Sequence, residues 1–447
     1  MNNNLLFGSL NGSVSLLLGV GRSNLALAEY LVKQGGRVIM CDRSKSEKEI
    51  SKILEEKNLA GCDIVKYGTI PKTDFVFRTP VIRPDDEIIC NSLQRGAFLT
   101  SEIELFFEKC KGCVYGITGS DGKTTTATIT CELYKNADKK VFLGGNIGVP
   151  LISFVNDVTE NDVVIAELSS FQLMTLKRSP NRSAITNLSE NHLDWHIDKK
   201  EYIEAKANIY TYHDCKRLVT EFSAYNLLKE LHKPIPRECI LIGENQDVYS
   251  DGKDICIFGK KTVQVSDIVL KGEHNLKNFM TAVAISYPDI PKEALIKTAR
   301  SFRGIAHRIE FVDTKHGISF FNSSIDSTPS RTLNTLKCFG SNITLICGGY
   351  DKNLDYSELA EYVNNHIKNL VLYGDAAEKI YSYFQKSGSA KVNIIKTDSF
   401  DNAFKNAAEM AKKGETVLLS PACASFDQFK DFQERGERFS KLVRSLI

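Results

Sequence analysis

Gly116-Ile117-Thr118-Gly119-Ser120-Asp121-Gly122-Lys123-Thr124-Thr125-Thr126 stands between an apolar lead-in and a run of helical character. Glycines let a backbone turn tightly and aim its N–H groups at an anion. Lys123 adds a positive point charge and Thr124 offers a hydroxyl to a metal ion. The stretch reads as a cradle for a nucleoside triphosphate, formed by Gly119, Ser120, Asp121, Gly122, Lys123, Thr124 and Thr125. The common pattern G-x-x-x-x-G-K-[ST] would place its first glycine at position 117, whereas glycines stand here at 116 and 119. A merely Gly-rich strand-to-helix turn is the bland alternative, but it has no need of Lys-Thr directly after the last glycine.

Outward from this loop, 447 residues give room for roughly three domains. The hydrophobic share of 42% and net charge of +2 suit a globular protein with no bulk electrostatic pull toward nucleic acid or anionic membrane. No apolar run is long enough to span a bilayer, and Met1-Asn2-Asn3-Asn4 lacks a basic leader, so a cytoplasmic location is expected. The 12 cysteines follow no repeating frame, which fits reduced thiols. Cys110 and Cys113 form a C-x-x-C pair without a second pair or nearby histidines, so neither zinc nor redox chemistry is expected of it.

Before the loop, Val14-Ser15-Leu16-Leu17-Leu18 reads as a buried strand, followed by Gly19-Val20-Gly21-Arg22-Ser23-Asn24, a helical pattern and the strand Arg37-Val38-Ile39-Met40-Cys41 ending in Asp42-Arg43. This is a Rossmann-type layout with an acidic residue roughly 20 positions after the glycines. Asn24 stands where the third glycine of the dinucleotide fingerprint belongs, so NAD and another nucleotide diphosphate are equally compatible.

After the loop come a helix over 125–135, a strand over 140–143, the turn Gly144-Gly145-Asn146-Ile147-Gly148, and a buried strand ending in Glu167. A strand over 183–187 runs into Glu190-Asn191-His192-Leu193-Asp194-Trp195-His196. Ligands sit at the C-terminal ends of parallel strands, which favours Glu167 and the pair His192 and His196 as functional groups over ordinary loop residues. A helix over 199–212 carries Lys206 inside an apolar stripe, where most lysines simply snorkel to water. A third segment alternates again, with strands over 318–322, 342–347, 369–373, 392–395 and 416–419.

These motifs resemble the Mur ligase family over nearly the whole chain: 116–126, 144–148, 167–172, 191–196, 202–210, 272–278, 307–308, 326–330, 348–352 and 420–436. The first eight are shared with folylpolyglutamate synthetases. The last, Ser420-Pro421-Ala422-Cys423-Ala424-Ser425-Phe426-Asp427-Gln428-Phe429-Lys430-Asp431-Phe432, resembles the members that add D-glutamate to UDP-N-acetylmuramoyl-L-alanine. The D-N-P-R signature of the meso-diaminopimelate adders is absent from the sequence.

The resemblance implies an α/β protein of three domains: a Rossmann-like UDP-substrate domain over 1–108, a P-loop-type ATPase domain with a parallel sheet over 109–306, and a Rossmann-like amino-acid-binding domain over 307–447. It implies an ATP-dependent amide ligase acting through an acyl phosphate, a monomer with no nucleic-acid partner. Lys123, Glu167, His192 and Lys206 would be catalytic. Two Mg²⁺ ions would be held by Thr124, Glu167, His192 and Lys206, the last as a carbamate. Asn275, Arg308 and Asp326 would join the loop in binding ATP. Gly21, Arg22, Ser23, Asp42, Arg43 and Asn146 would bind the UDP substrate, and Ser330, Lys352, Ser425, Phe426 and Phe432 the D-glutamate. The chain departs from the family pattern at Thr328, where lysine is common, at Ser330, where threonine is, and in Thr79-Pro80-Val81-Ile82, where Ser-Pro-Gly is usual.

Overall fold

The computed structural model describes residues 7–189, 192, 195–212, 214–270, 272–388 and 392–446. Met1-Asn2-Asn3-Asn4, Lys271, and Glu190, Asn191, Leu193 and Asp194 of the 190–196 motif lie outside the described residues. The chain forms two compact units, Met1–Phe302 and Arg303–Ile447.

The first unit holds two sheets. One contains β1 (Val14–Leu18), β2 (Arg37–Cys41), β3 (Asp63–Ile64), β4 (Phe75–Arg78) and β5 (Phe98–Thr100), all parallel, in the order β3-β2-β1-β4-β5. Leu16, Leu17 and Leu18 are fully buried, as a parallel strand covered on both faces requires. The second sheet contains β6 (Cys113–Thr118), β7 (Val141–Gly145), β8 (Val163–Glu167), β9 (Arg182–Ile185), β10 (Arg217–Glu221), β11 (Glu238–Ile242), β12 (Val248–Ser250), β13 (Asp254–Ile257) and β14 (Lys260–Gln264). Its order is β14-β13-β12-β11-β10-β9-β6-β8-β7, parallel except for the antiparallel pairs at the β14 edge. From β6 the chain leaves toward β7, and from β9 it leaves toward β10. The phosphate loop therefore opens at the point where the winding reverses, the place such sheets offer to ligands.

One apolar cluster runs from Leu17, Leu27 and Phe106 beside the first sheet to Leu151, Val164 and Tyr202 beside the second. The two sheets thus share a core across position 108. Truncating Phe106 to alanine in this shared core costs about 3–5 kcal/mol.

The second unit has a single sheet of β15 (Glu310–Lys315), β16 (Ile318–Asn322), β17 (Ile343–Gly348), β18 (Asn369–Tyr373), β19 (Asn393–Thr397) and β20 (Thr416–Leu419), in the order β15-β16-β20-β17-β18-β19. Only β15 pairs antiparallel, and the loops after β16, β17 and β20 leave from one edge. Among the described residues no helix is long and apolar enough to cross a membrane.

Candidate active site

Gly116 lies inside β6, not in the cradle. A Cβ there would stand 2.5 Å from Pro180 Cγ, so this glycine serves close packing, which explains the spacing that departs from the common pattern. The turn is made by Gly119 and Gly122, with φ of +150° and +76°. A Cβ on Gly119 would lie 1.8 Å from Thr186 Oγ1, and one on Gly122 2.1 Å from Asn278 Oδ1. Gly122 in turn lets the helix Lys123–Asn136 begin two residues earlier than its apolar pattern suggests.

The loop is braced from below. Asn187 Oδ1 accepts from the N–H groups of Ser120 (3.1 Å) and Asp121 (2.9 Å). Ser120 is buried, and its Oγ contacts the Tyr202 hydroxyl at 2.8 Å and donates to Ser189 O. Ser120 therefore supports the loop through its side chain instead of offering it to a ligand. Lys123 Nζ donates to Gly119 O (2.9 Å) and Ser120 O (2.7 Å), which puts its charge over the turn. Thr124 and Thr125 form the first turn of the helix, where N–H groups and the helix dipole favour an anion. The helix Glu273–Ser286 packs behind. Asn278 on it accepts from Thr126 Oγ1, and Asn275 sits one turn earlier on the same side.

Lys206 comes up beneath the loop from the helix Lys199–Thr211. It is 1% exposed, and its Nζ donates to Gly119 O (2.7 Å) and Thr118 Oγ1 (3.3 Å) and lies 4.7 Å from the Tyr202 ring centre. Burial first, and the charge of Lys123 second, push its pKa well below the ordinary 10.5, against the opposing fields of Asp121 and Glu167. This lysine does not snorkel. Glu167 ends β8 at 0% exposure. Its Oε1 accepts from Asn146 Nδ2 at 2.8 Å, and its Oε2 is buried with no hydrogen-bond partner. Such an atom is an open hard-oxygen donor, and with Thr124 it could hold one Mg²⁺. Among the described residues no three His, Cys, Asp or Glu side chains converge as a metal cluster. A second ion would need Lys206 converted to a carbamate, and a buried amine of low basicity fits that conversion.

His192 is exposed, at φ +55°, with its ring 4.9 Å from that of Phe171 in the turn after Glu167. His196 is the buried one of the pair: it contacts Ser170 Oγ (2.9 Å) and Glu201 Oε2 (3.2 Å), and burial lowers its pKa.

At the first sheet, Gly21 precedes the helix Arg22–Lys33, whose start has no capping side chain. Ser23 lines a small cavity with Arg78, Arg22 reaches Gly148 O, and Arg43 is exposed. Asn24 is buried and donates to Leu18 O (2.8 Å) and Gly19 O (2.9 Å), so it braces the turn that a third glycine would leave open. Asp42 accepts from the N–H groups of Val20, Ser44 and Lys45; burial works to raise its pKa, but the bonds from Val20 and Ser44 and the charge of Lys45 outweigh it and hold the pKa down. Both Asp42 oxygens brace this turn, and the exposed Asn146 donates through Nδ2 to Glu167.

In the second unit, the N–H of Tyr350 donates to Ala424 O, pairing the loops after β17 and β20. This brings Lys352 to 5.8 Å from the ring of Phe426, which is 62% exposed, beside the buried Ser425. Phe432 starts the last helix, with its ring 6.1 Å from that of His307 next to the exposed Arg308. Ser330 is exposed, its Oγ 3.3 Å from Thr328 Oγ1. Asp326 is 5% exposed, and its Oδ2 accepts from Thr335 and Ser420 hydroxyls (2.8 Å each), which anchors that oxygen inward.

Arg435 lies in the 420–436 motif, but sequence reasoning assigned it no role. At 0% exposure it donates to Ser324 Oγ, Ser324 O, Ala424 O and Cys423 O between 2.8 and 3.1 Å, locking the loops after β16 and β20 together. Cys110 and Cys113 are free thiols whose pKa burial raises, to about 11 for Cys110.

A loop that cradles an anion, backed by a basic side chain and a half-satisfied carboxylate, places the first unit's site in the nucleotide-dependent phosphoryl-transfer class. Residues 117–286 match the Mur ligase middle domain and residues 307–423 the Mur ligase glutamate ligase domain. The UDP-N-acetylmuramoylalanine–D-glutamate ligase of Clostridium perfringens is 37% identical over 98% of both chains, and that of Clostridium botulinum 39% identical over 96% of both. The chain belongs to the Mur ligase family. Among solved structures, MurF of Acinetobacter baumannii shares the fold at a TM-score of 0.56 and 14% identity, covering 92% of this chain and 91% of that one. The UDP-N-acetylmuramate-alanine ligase of Thermotoga maritima does so at 0.53 and 17%, covering 97% and 99%.

Proposed function

We propose that the protein joins D-glutamate to UDP-N-acetylmuramoyl-L-alanine in the cytoplasm, splitting ATP to ADP and phosphate. The substrate names come from relatives at 37–39% identity over nearly full length. The observation in this chain that carries the reading is Lys206, a buried amine of lowered basicity 2.7 Å from Gly119 O of the phosphate loop.

A carboxylate is a poor acyl donor because its leaving group would be oxide. Its oxygen attacks the γ-phosphorus, the bond to ADP breaks, and an acyl phosphate forms. The amino nitrogen of D-glutamate then attacks the acyl carbon, gives up its proton, and phosphate leaves with the C–O electron pair. Charge builds on phosphoryl oxygens, so catalysis is positioning plus cations. Lys123 and the N-terminus of the helix Lys123–Asn136 hold the phosphates. Asn146 fixes one oxygen of Glu167 and leaves the other for a metal. Mg²⁺, when bound through Thr124 and Glu167, neutralises phosphate charge. Carbamylation of Lys206, in which the neutral amine would add CO₂ and release a proton, would give two oxygens sharing one negative charge, which together with His192 suit a second ion.

Gly21, Arg22 and Ser23 would receive the uridine nucleotide, with Asn24 and Asp42 stiffening the turn. Arg308 would contact ATP, and Lys352, Ser425, Phe426 and Phe432 would receive D-glutamate, a cation and a hydroxyl being suited to its carboxylates. We assign three domains, one per sheet, and a monomer. The test is phosphate release from ATP with UDP-N-acetylmuramoyl-L-alanine and a panel of amino acids. Release with D-glutamate is expected; release only with another amino acid would overturn the specificity.

A further inference from the structure

The loop after β4 and the turn that carries His192 are stitched together by side chains that the proposed chemistry does not use. Arg83 donates through Nη1 to Trp195 O (2.8 Å) and Glu201 Oε2 (3.1 Å), and through Nη2 to Glu201 Oε1 (3.0 Å), while its guanidinium lies 5.0 Å from the Trp195 ring centre. Asp85 holds its Nε at 3.2 Å. Trp195 answers in the other direction: its Nε1 donates to Val81 O at 2.9 Å. The buried Arg78 pins the same loop by donating to Pro80 O (3.0 Å) and Ile82 O (2.8 Å), and it reaches Phe171 O in the turn after Glu167.

The far end of this stitching is the catalytic side. The N–H groups of Trp195 and His196 both donate to His192 O, at 3.1 and 3.0 Å, so the placement of Trp195 sets the placement of His192. Glu201 also accepts from the Ile197 N–H (2.9 Å) and holds His196, and it lies on the helix Lys199–Thr211 that carries Lys206. Phe171 packs on the rings of His192, Trp195 and His196. A bidentate guanidinium–carboxylate pair with a third bond to a carbonyl fixes orientation in a way that a single point charge cannot.

Thr79 opens this same loop against the turn that would receive the nucleotide, since a Cβ on Gly19 would lie 2.8 Å from Thr79 Cγ2. We propose that Arg83 and Trp195 are positioning residues that couple the 79–82 loop of the first sheet to the His192 turn and the Lys206 helix, so that seating the uridine-nucleotide substrate registers directly at the phosphoryl-transfer site. This rests on the function proposed above. Neither residue touches the reacting atoms; both act through His192 and Glu201.

Trp195 is the only tryptophan of the chain, which makes the coupling observable. UDP-N-acetylmuramoyl-L-alanine titrated into the full-length protein without ATP should shift the Trp195 emission along the binding isotherm measured by calorimetry. Arg83→Gln should still bind the nucleotide within about threefold but lose the emission shift, and its kcat should fall about tenfold with KM for ATP unchanged. Arg83→Lys should recover only part of kcat, because one ammonium cannot span both Glu201 oxygens and Trp195 O. Trp195→Phe, which keeps a ring and removes the bond to Val81 O, should lower kcat severalfold. Calorimetric binding with no emission change in the unaltered protein overturns the proposal, as does an Arg83→Gln protein with kcat within twofold. If Arg83→Gln does not fold, a kcat within twofold for Trp195→Phe decides against it. An unaltered protein that releases no phosphate with these substrates breaks the functional reading; an active one indifferent to these substitutions breaks only the coupling.

Discussion

On the rim of the second sheet, Glu167 and Lys206 are 0% and 1% exposed, and neither is at rest: one carboxylate oxygen has no partner, and burial strips the amine of its ordinary basicity. On the rim of the third sheet, Arg435 is equally buried, yet its donors end on Ser324, Cys423, Ala424 and the Tyr373 hydroxyl. Asp326 and Ser420 satisfy one another in the same way. A buried polar group that is satisfied holds loops together, whereas one left short stores the drive to bind an ion or to react. Lys352 and Phe426, the groups proposed to meet D-glutamate beside the third sheet, are correspondingly exposed.

Substitution can break this contrast. Lys206→Met should cost the largest effect on function, about 1,000-fold in phosphate release, with little loss of stability, because relief from desolvating the amine offsets the loss of its bonds to Gly119 O and Thr118 Oγ1. The pH dependence follows from the sign of the shift. A lysine whose pKa is lowered on folding binds fewer protons in the native than in the unfolded chain between the lowered value and the ordinary 10.5. In CO₂-free buffer its contribution to stability therefore rises with pH through that window, and urea unfolding at pH 7 and pH 9 should show a smaller rise for Lys206→Met than for the unaltered protein. Arg435→Met should do the reverse, destabilising the second unit by about 3 kcal/mol or more in urea melts, since five acceptors lose their donor at once.

Glu167→Gln sharpens the contrast. It can keep a hydrogen bond with Asn146 but not offer an anionic oxygen, so activity should drop about 100-fold while the unfolding midpoint barely moves. Asn24→Gly, which restores the glycine of the dinucleotide fingerprint, should lose two hydrogen bonds and about 1–2 kcal/mol, seen in thermal melts, without conferring NAD binding in a calorimetric titration.

Buried parallel strands were the legible part of the fold. Continuous apolar runs such as Leu16-Leu17-Leu18 mark β1, and β2, β16, β18 and β20 begin and end where the residue pattern puts them. The antiparallel edge β12–β14 is not foreshadowed, because its strands are three to five residues long and carry exposed Lys260 and Lys261, a composition that protects an edge and blurs alternation. β15, half polar as Glu-Phe-Val-Asp-Thr-Lys, is hidden for the same reason. In the site, Lys123 and Glu167 stand out because their chemistry is local to a motif, whereas Lys206 stands out only through the family resemblance. The bracing roles of Asn187, Ser120, Asn146 and Asp42, and the hub at Arg435, depend on partners 11 to 111 positions away that only the folded chain brings together.

The most direct test follows the oxygen atoms. UDP-N-acetylmuramoyl-L-alanine carrying ¹⁸O in both carboxylate oxygens is turned over with ATP and D-glutamate, and the released phosphate is analysed by mass spectrometry. One ¹⁸O in the phosphate and one in the amide product is the expected result, because the acyl phosphate parts with the oxygen that attacked ATP. Phosphate free of label, with D-glutamate incorporated, would contradict phosphoryl transfer to the carboxylate at the Lys123–Glu167–Lys206 site.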